Sequence, residues 1–427
     1  MLHVRPGERG QGLTRPLVSN AAWVSGISLL HSASIRSATI SISRCGKDGN
    51  RESSRRVRSD RNDISDRALQ VTYMDEYVPA DEATYLPEII SSAIESINYT
   101  PEKGQPPTAP PYRRDVHSKA HGCVRALVDI ASGIDAPFQQ GVFAQAGKQY
   151  RAWIRFSNGN TVPQKDSDKD ARGMAIKLMG VEGPKLLEPE QTSDTQDFVL
   201  INSPVFFIRN VAEYAKFTRI LADGSRLGYF FNQNSPNPFT WNIRDMILAL
   251  KTLKKAPDSL LHEQFFSLSA YKLGHMNVKL SAAACTAKPV VRPDRKDPNF
   301  LRSQMKTELG QADGCYNLLV QPQVAGRNMP VEDPTVEWKQ SESPFVKVAT
   351  INVPKQEFDN EQQNAFCDAL SFNPWHSLEA HRPIGGLNRI RKAVYLEESR
   401  YRRTKMNYTK AEPKGWCLDL TGATCSM

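Results

Sequence analysis

Short runs of apolar and β-branched residues, separated by polar ones, dominate the middle of the chain, and helical spacing of apolar residues occurs around them. Seven segments are rich in β-branched and apolar residues and are bounded by Gly, Asp or Asn. They are predicted to be strands, at 123–130, 149–157, 173–180, 197–203, 275–282, 315–324 and 345–353. Four segments with apolar residues at helical spacing are predicted to be helices, at 84–98, 210–222, 239–255 and 386–403.

The order of these elements predicts the fold class. Most of the strands come first, two helices follow, then more strands, and the last element is a helix. This is an α+β order and not an alternating βαβ order. About seven or eight short strands could form a closed antiparallel β-barrel around a ligand, with inserted and C-terminal helices. No internal repeat and no glycine-rich phosphate loop occurs in the sequence.

Length and composition are those of a globular protein and add few limits. The 427 residues are 40% hydrophobic and 24% charged, which suits one large domain or two to three average ones. No run of about 20 apolar residues occurs, so no membrane-spanning helix is expected.

The net charge of +9 is unevenly distributed along the chain. Residues 1–73 hold twelve Lys or Arg and six Asp or Glu, a balance of +6, so the remaining residues carry +3. A nucleic-acid partner is therefore not expected. We predict that 1–73 is a disordered or dispensable segment and that 74–427 is the folded domain. An organelle-targeting peptide, a poor signal peptide and a start at Met74 are alternatives for the first segment.

The seven cysteines form no C-x-x-C pair; they lie at positions 45, 123, 285, 315, 367, 417 and 425. Because their number is odd and the chain is long, a disulfide framework is not expected. The cysteines therefore predict a reducing compartment, and we expect the cytoplasm.

Four segments carry side chains suited to chemistry: 113–122, 154–177, 198–210 and 381–395. Taken alone, each has a structural explanation, such as a turn-capping Ser157 or a structural His117. Asn202 is the least expected, because it lies between two apolar runs in "FVLINSPVFFIRN". An Asx-turn is one explanation. A buried amide without a partner costs roughly 1–3 kcal/mol, so Asn202 should have a partner in the chain or in a ligand.

Together, the first three segments resemble the distal side of the haem-dependent catalase family, in its compact catalase-like branch. The family's R-x-x-H motif matches Arg114 and His117, and its R-F-S motif matches Ser157. Its N-x-P-x-F-F-I-R-D motif matches the segment that begins at Asn202, with Asn210 in place of the Asp. The resemblance implies that His117 moves a proton between the peroxide oxygens, that Ser157 orients it and that Asn202 holds the peroxide.

The fourth segment resembles the family's proximal R-x-x-x-Y motif, here Arg391 and Tyr395. In catalases a tyrosinate is the ligand to the haem iron. The resemblance therefore implies a haem cofactor (heme, iron protoporphyrin) with Tyr395 as the metal ligand. Arg391, one helical turn earlier, would stabilise the phenolate with a charge-assisted hydrogen bond.

Other matched residues would contact the cofactor. Arg114 and Arg155 are candidates for the haem propionates, because a guanidinium can pair bidentately with a carboxylate. Phe207 could face the macrocycle, although core packing is an alternative. Val116 precedes the distal histidine, as in true catalases, whereas the allene oxide synthases of this superfamily carry Thr there. Val116 therefore favours peroxide cleavage over isomerisation.

The resemblance implies an oxidoreductase that decomposes hydrogen peroxide or a small organic hydroperoxide. Two alternatives remain: a haem enzyme for fatty-acid hydroperoxides and a non-catalytic haem-binding protein. The sequence departs from large catalases after Tyr395, where "LEESRYRR" replaces a Pro-containing turn. The protein could also form a homo-oligomer.

Overall fold

The structure, a computed structural model, describes residues 76–98, 112–222, 227–285, 291–408, 410 and 412–418. By their contacts these residues belong to one unit, which spans 64–427. The prediction that 1–73 is dispensable lies outside the described residues and stays a prediction.

A ring of antiparallel strands forms the centre of the described chain. Its strands are β1 Ala120–Ile130, β2 Gln149–Asn158, β3 Arg172–Met179, β4 Thr195–Ile201, β5 Phe265–Phe266, β6 Tyr271–Leu273, β7 Met276–Ala284, β8 Gly314–Pro322 and β9 Val346–Val353. They follow the order β5-β4-β3-β2-β1-β9-β8-β7-β6. Because β5 pairs with both β4 and β7, eight strands close a barrel and β6 extends it at β7. The predicted α+β fold with a closed eight-stranded barrel is confirmed.

Six helices surround the barrel within the described residues. They are α1 Glu82–Asn98, α2 Val211–Ala222, α3 Ile243–Thr252, α4 Phe300–Gln311, α5 Glu361–Ala369 and α6 Gly386–Met406. All four predicted helices are present, and α4 and α5 are additional. None of the described helices is both long enough and apolar enough to cross a bilayer.

The barrel interior is filled by apolar side chains. On β2 the alternate residues Ala152, Ile154 and Phe156 join the core, and Met174 and Ile176 of β3 do the same. Eight-stranded barrels have interiors that side chains can fill. The interior is therefore a packed core, and the space that suits a cofactor lies between the outer face of the barrel and the helices.

The cysteine prediction is wrong. Cys123 of β1 is bonded to Cys367 of α5, and Cys285 is bonded to Cys315 at the start of β8. The separations of 244 and 30 residues leave no local sequence pattern, because folding alone brings each pair to a Cα distance below 6 Å. Cys417 is also disulfide-bonded. The cysteines therefore do not support a reducing compartment.

Candidate active site

Two adjoining cavities, of about 90 Å³ and about 360 Å³, lie against β2–β4 and α6. Both are lined by Val116, His117, Val199, Tyr395 and Glu398. The larger volume lies within the range typical of small-molecule sites. The predicted distal histidine and the predicted proximal tyrosine thus reach the same space, although 278 positions separate them in the chain.

His117 is held in an unusual backbone conformation just before β1. Its φ is +60°, in the left-handed region that costs a non-glycine residue roughly 1–2 kcal/mol. Two hydrogen bonds fix it: its N–H donates to Gly159 O at 3.2 Å, and its carbonyl accepts from Arg155 Nη2 at 2.8 Å. Such strain persists where the surroundings determine the conformation, often at functional sites.

The imidazole of His117 packs between Ser157 and Gly173. Its Nδ1 lies 3.1 Å from Ser157 Oγ. A Cβ on Gly173 would lie only 2.5 Å from the same Nδ1, so the ring needs a glycine on the neighbouring strand. Burial lowers the pKa of His117 to about 3, with Arg155 adding to the effect. The side chain is therefore neutral at ordinary pH and can accept a proton.

Tyr395 faces the cavities from α6. Arg391, one turn earlier, donates from Nε to the phenol oxygen at 3.3 Å. Burial alone would lower the pKa of Arg391, but its contacts with Tyr395 and Tyr271 raise it above the ordinary value. The sequence pattern gave no indication of Asn388, which is fully buried and accepts a hydrogen bond from Arg391 Nη1 at 3.0 Å. Asn388 thus orients the guanidinium that contacts Tyr395.

Three arginines line the smaller cavity: Arg114, Arg155 and Arg402. Burial lowers the pKa of Arg114 to about 9, and repulsion by Arg155 adds to it. Burial likewise lowers the pKa of Arg155 to about 10 and that of Arg402 to about 9. Arg155 Nε is buried and has no hydrogen-bond partner among the described residues. Crowded buried guanidiniums with an unused donor suit an anionic ligand such as a carboxylate.

Two acids near these arginines, the buried Asp115 and the half-buried Glu398, were not found from the sequence. Glu398 lines both cavities, and Asp115 lines the larger one. Burial raises the pKa of Asp115 to about 6, and burial followed by repulsion from Asp115 raises that of Glu398 well above its usual value. Glu398 follows Tyr395 by three residues, so helical spacing was the signal that could have placed it in the site.

Asn202 does not line either cavity. Its Oδ1 accepts from Arg172 N at 2.7 Å, and its Nδ2 donates to Glu263 Oε2 at 3.1 Å. The protein itself therefore supplies the partners of the buried amide, so the burial of Asn202 does not require a ligand. Phe207, in contrast, lines the larger cavity, and Phe206 lies beside it with 4.7 Å between ring centroids.

One further group of potential metal ligands occurs in the described residues: Glu190, His376 and Glu412. Lys177 Nζ lies 2.7 Å from Glu412 Oε2, and Lys410 contacts Glu190. The two ammonium groups neutralise these carboxylates, so the cluster forms an ion-pair network outside the two cavities.

A family model of the catalases matches residues 111–410. The chain belongs to the catalase family. Catalase A of Pseudomonas putida is 24% identical over 314 residues, and the catalase of the Onchocerca volvulus endobacterium is 23% identical over 319 residues. Each alignment covers 68% of this chain and 61% of the relative. The chain thus spans about three fifths of the curated catalases it matches.

Solved catalase structures share the fold. A fungal catalase aligns with a TM-score of 0.55 at 19% identity, over 68% of this chain and 59% of that one. Catalase A from Saccharomyces cerevisiae aligns with a TM-score of 0.54 at 18% identity, over 68% of this chain and 61% of that one.

The residues of the site suit the haem that a catalase would carry. The unused Arg155 Nε is placed for a carboxylate, as a propionate would require. The missing Cβ of Gly173 leaves room for the His117 ring beside the cavity. Tyr395 supplies an oxygen donor that lines both cavities. The donor set therefore fits tyrosine-ligated haem.

Proposed function

We propose that this catalase-family protein binds haem between His117 and Tyr395 and decomposes hydrogen peroxide or a small organic hydroperoxide. The observation that carries the proposal is that a neutral, hydrogen-bonded histidine and an arginine-contacted tyrosine line the same pair of cavities. When bound, the haem supplies the redox chemistry that cleaves the oxygen–oxygen bond. Tyr395 would hold its iron, with Arg391 stabilising the charge of the phenolate.

His117 would act as the acid–base residue of the reaction. Because burial keeps it neutral, it can accept the proton of a bound peroxide at the nitrogen that does not contact Ser157, and can return the proton to the other oxygen. Ser157 would fix the ring orientation through Nδ1. Arg155 would hold the backbone carbonyl of His117 and so keep the strained conformation in place.

The three cavity arginines would bind the propionates of the haem. Arg114 and Arg155 were expected from the sequence, and Arg402 adds a third guanidinium two turns after Tyr395 on the same face of α6. Two propionate carboxylates would offset the burial, and the repulsion between neighbouring guanidiniums, that lower the pKa of Arg114 and Arg402. Val116 and Phe207 would form apolar walls beside the macrocycle.

Asn202 would act on the site through the protein backbone. Its Oδ1 holds the N–H of Arg172, the residue before Gly173, and Gly173 packs against the His117 ring. Asn202 is therefore proposed as a positioning residue in this chain. A direct contact with the peroxide would need a different orientation of its amide.

A second candidate function is the cleavage of larger, apolar hydroperoxides. It is favoured by the larger cavity, which has apolar walls beyond the residues proposed to surround the haem: Phe206, Phe217, Leu221, Phe230 and Leu253. An alkyl chain could occupy this apolar volume. Product analysis with a fatty-acid hydroperoxide distinguishes this activity from the release of oxygen from hydrogen peroxide.

The proposal is tested by titrating the purified full chain with haemin and then measuring oxygen release from hydrogen peroxide per bound haem. Stoichiometric binding with oxygen release supports it. Binding without turnover of any hydroperoxide would leave only a haem-binding protein. The assembly state, for which a homo-oligomer is predicted, is measured in the same samples by light scattering.

A further inference from the structure

Helix α3 buries its polar and small side chains and exposes its apolar ones, the opposite of an ordinary surface helix. Its buried side chains are Asp245, Ala249 and Thr252, which are small or polar. Its exposed side includes Ile243, Ile247 and Leu250, which are 38%, 47% and 61% exposed. A surface helix normally turns its apolar stripe to the core and its polar face to water. Among the residues that the structure describes, the apolar stripe of α3 thus has no packing partner that covers it.

Hydrogen bonds fix α3 in this orientation. Tyr229 donates from its hydroxyl to the buried Asp245 Oδ2 at 2.7 Å. Thr252 Oγ1 donates to Leu248 O at 3.0 Å, so the second buried polar side chain is also satisfied. Rotating the helix to bury the isoleucines would break the Tyr229–Asp245 contact and bring a carboxylate to the surface. The exposed stripe is therefore a fixed feature of the fold.

The apolar surface continues in front of the helix. Phe239 is 95% exposed, and it lies in a short turn that the side chain of Asn237 caps by accepting from Phe239 N at 3.1 Å. We define Phe239, Ile243, Ile247 and Leu250 as the apolar ridge. Contiguous exposed apolar groups of this kind mark interaction surfaces on soluble proteins.

Basic side chains flank the ridge at its C-terminal end. Lys251, Lys254 and Lys255 are all exposed, and no Asp or Glu occurs between positions 246 and 257. An exposed apolar stripe next to lysines is the pattern of helices that lie in the interface of anionic membranes. A protein partner would need an apolar groove with acidic groups only at the end that meets the lysines. An anionic bilayer supplies both an apolar interior for the ridge and negative headgroups for the lysines.

The other side of α3 faces the larger cavity. Ala249 and Thr252 line this cavity from the buried face, and Leu253 lines it while remaining 40% exposed. The helix therefore separates the cavity from solvent at the point where its outer face is apolar.

We propose that the apolar ridge and the three lysines dock the protein on the surface of an anionic lipid bilayer. In this arrangement α3 lies along the membrane, the ridge enters the interface and the lysines contact the headgroups. The larger cavity then adjoins the bilayer, so an apolar hydroperoxide could enter it without crossing water. The docking itself does not depend on the proposed function.

The test is co-sedimentation of the full chain with vesicles of phosphatidylcholine alone or of phosphatidylcholine and phosphatidylglycerol in equal parts. We expect binding to the anionic vesicles only. Each lysine near an anionic surface contributes roughly five-fold to binding. Replacing Lys251, Lys254 and Lys255 together with Gln should therefore weaken binding on the order of 100-fold. The double variant Ile247→Ser/Leu250→Ser should lose it.

Matched controls use exposed residues outside the ridge. Val291→Ser removes a side chain that is 72% exposed, and Lys339→Gln/Lys347→Gln removes two exposed charges. Both controls should bind the anionic vesicles like the wild type. No binding to either vesicle, or equal binding by the ridge variants, would overturn the proposal. A dimer in lipid-free sedimentation that Ile247→Ser/Leu250→Ser converts to a monomer would also overturn it, in favour of a second copy of the chain.

Discussion

Replacing Gly173 with Ala tests the proposed distal side at its tightest packing. The new Cβ would lie 2.5 Å from His117 Nδ1, 2.6 Å from Cε1 and 2.8 Å from Ser157 Oγ. Distances under 3 Å force something to move, and the residue has no positive φ that an alanine would strain. The ring of His117 must therefore shift from its observed position beside Ser157 and the cavity.

The expected loss follows from the role of the displaced group. A positioned acid–base residue contributes typically about 10²–10⁴-fold, so Gly173→Ala should lower peroxide turnover per bound haem by that order. Overpacking should cost about 1–3 kcal/mol of stability, which leaves the fold intact. The measurements are oxygen release, haem content and the midpoint of urea unfolding.

Two further variants separate this effect from general damage. Gly310→Ala is the matched control, because its Cβ would meet nothing within 4 Å, and it should keep native turnover. In the double variant Gly173→Ala/His117→Ala, the alanine at 173 should add almost nothing to the loss from His117→Ala alone. Native turnover in Gly173→Ala, or fully additive losses in the double variant, would show that His117 does not act from its observed position.

Three other predictions follow from the contacts of the site and the core. His117→Ala should lower peroxide turnover more than Ser157→Ala or Asn202→Ala does, and equal losses in all three variants would contradict the assigned roles. Asn202→Ala should lower the free energy of unfolding in urea by about 1–3 kcal/mol, because it leaves the Arg172 N–H unpaired. Burial lowers the pKa of His117 and of His381 to about 3, whereas the same histidines in the unfolded chain take up a proton near pH 6.5. As the pH drops from about 6.5 towards 3, each histidine should therefore lower the free energy of unfolding by up to about 1.4 kcal/mol per pH unit. If His381→Gln leaves this pH dependence unchanged, His381 does not contribute to it. A chain that starts at Met74 should fold and bind haem like the full chain, because it keeps the hydrogen bond from Gly385 N to Glu76 at 2.7 Å. Loss of cooperative unfolding in this shorter chain would show that residues 1–73 are needed.

The sequence predicts the fold and one half of the site well, because these depend on local patterns. Runs of β-branched and apolar residues located seven of the nine strands, and the missed β5 and β6 consist of only two and three residues. Helical spacing also placed Arg391 and Tyr395 correctly on one face. The missed helix α4 buries one face, but the polar Gln304 is among its buried residues, which weakens the apolar period.

The other half of the site depends on contacts between distant segments. No local pattern shows that Glu263 and the backbone of Arg172 satisfy Asn202, since 61 and 30 positions separate them. The disulfide between Cys123 and Cys367 is equally non-local. The cavity-lining acid Glu398 and the orienting Asn388 are ordinary polar residues in a helical sequence, and only the packing of α6 on the barrel reveals what they contact.

The absorption spectrum and the oxygen release of the haem-loaded wild type and of Tyr395→Phe test whether this protein is a catalase whose haem iron is bound by Tyr395. Removing the hydroxyl removes the oxygen donor that lines both cavities and accepts from Arg391. The wild type should bind one haem per chain, show the absorption of a tyrosinate-ligated haem and release oxygen from hydrogen peroxide. The variant should lose that absorption and the oxygen release. An unchanged spectrum and unchanged oxygen release in Tyr395→Phe would contradict the account.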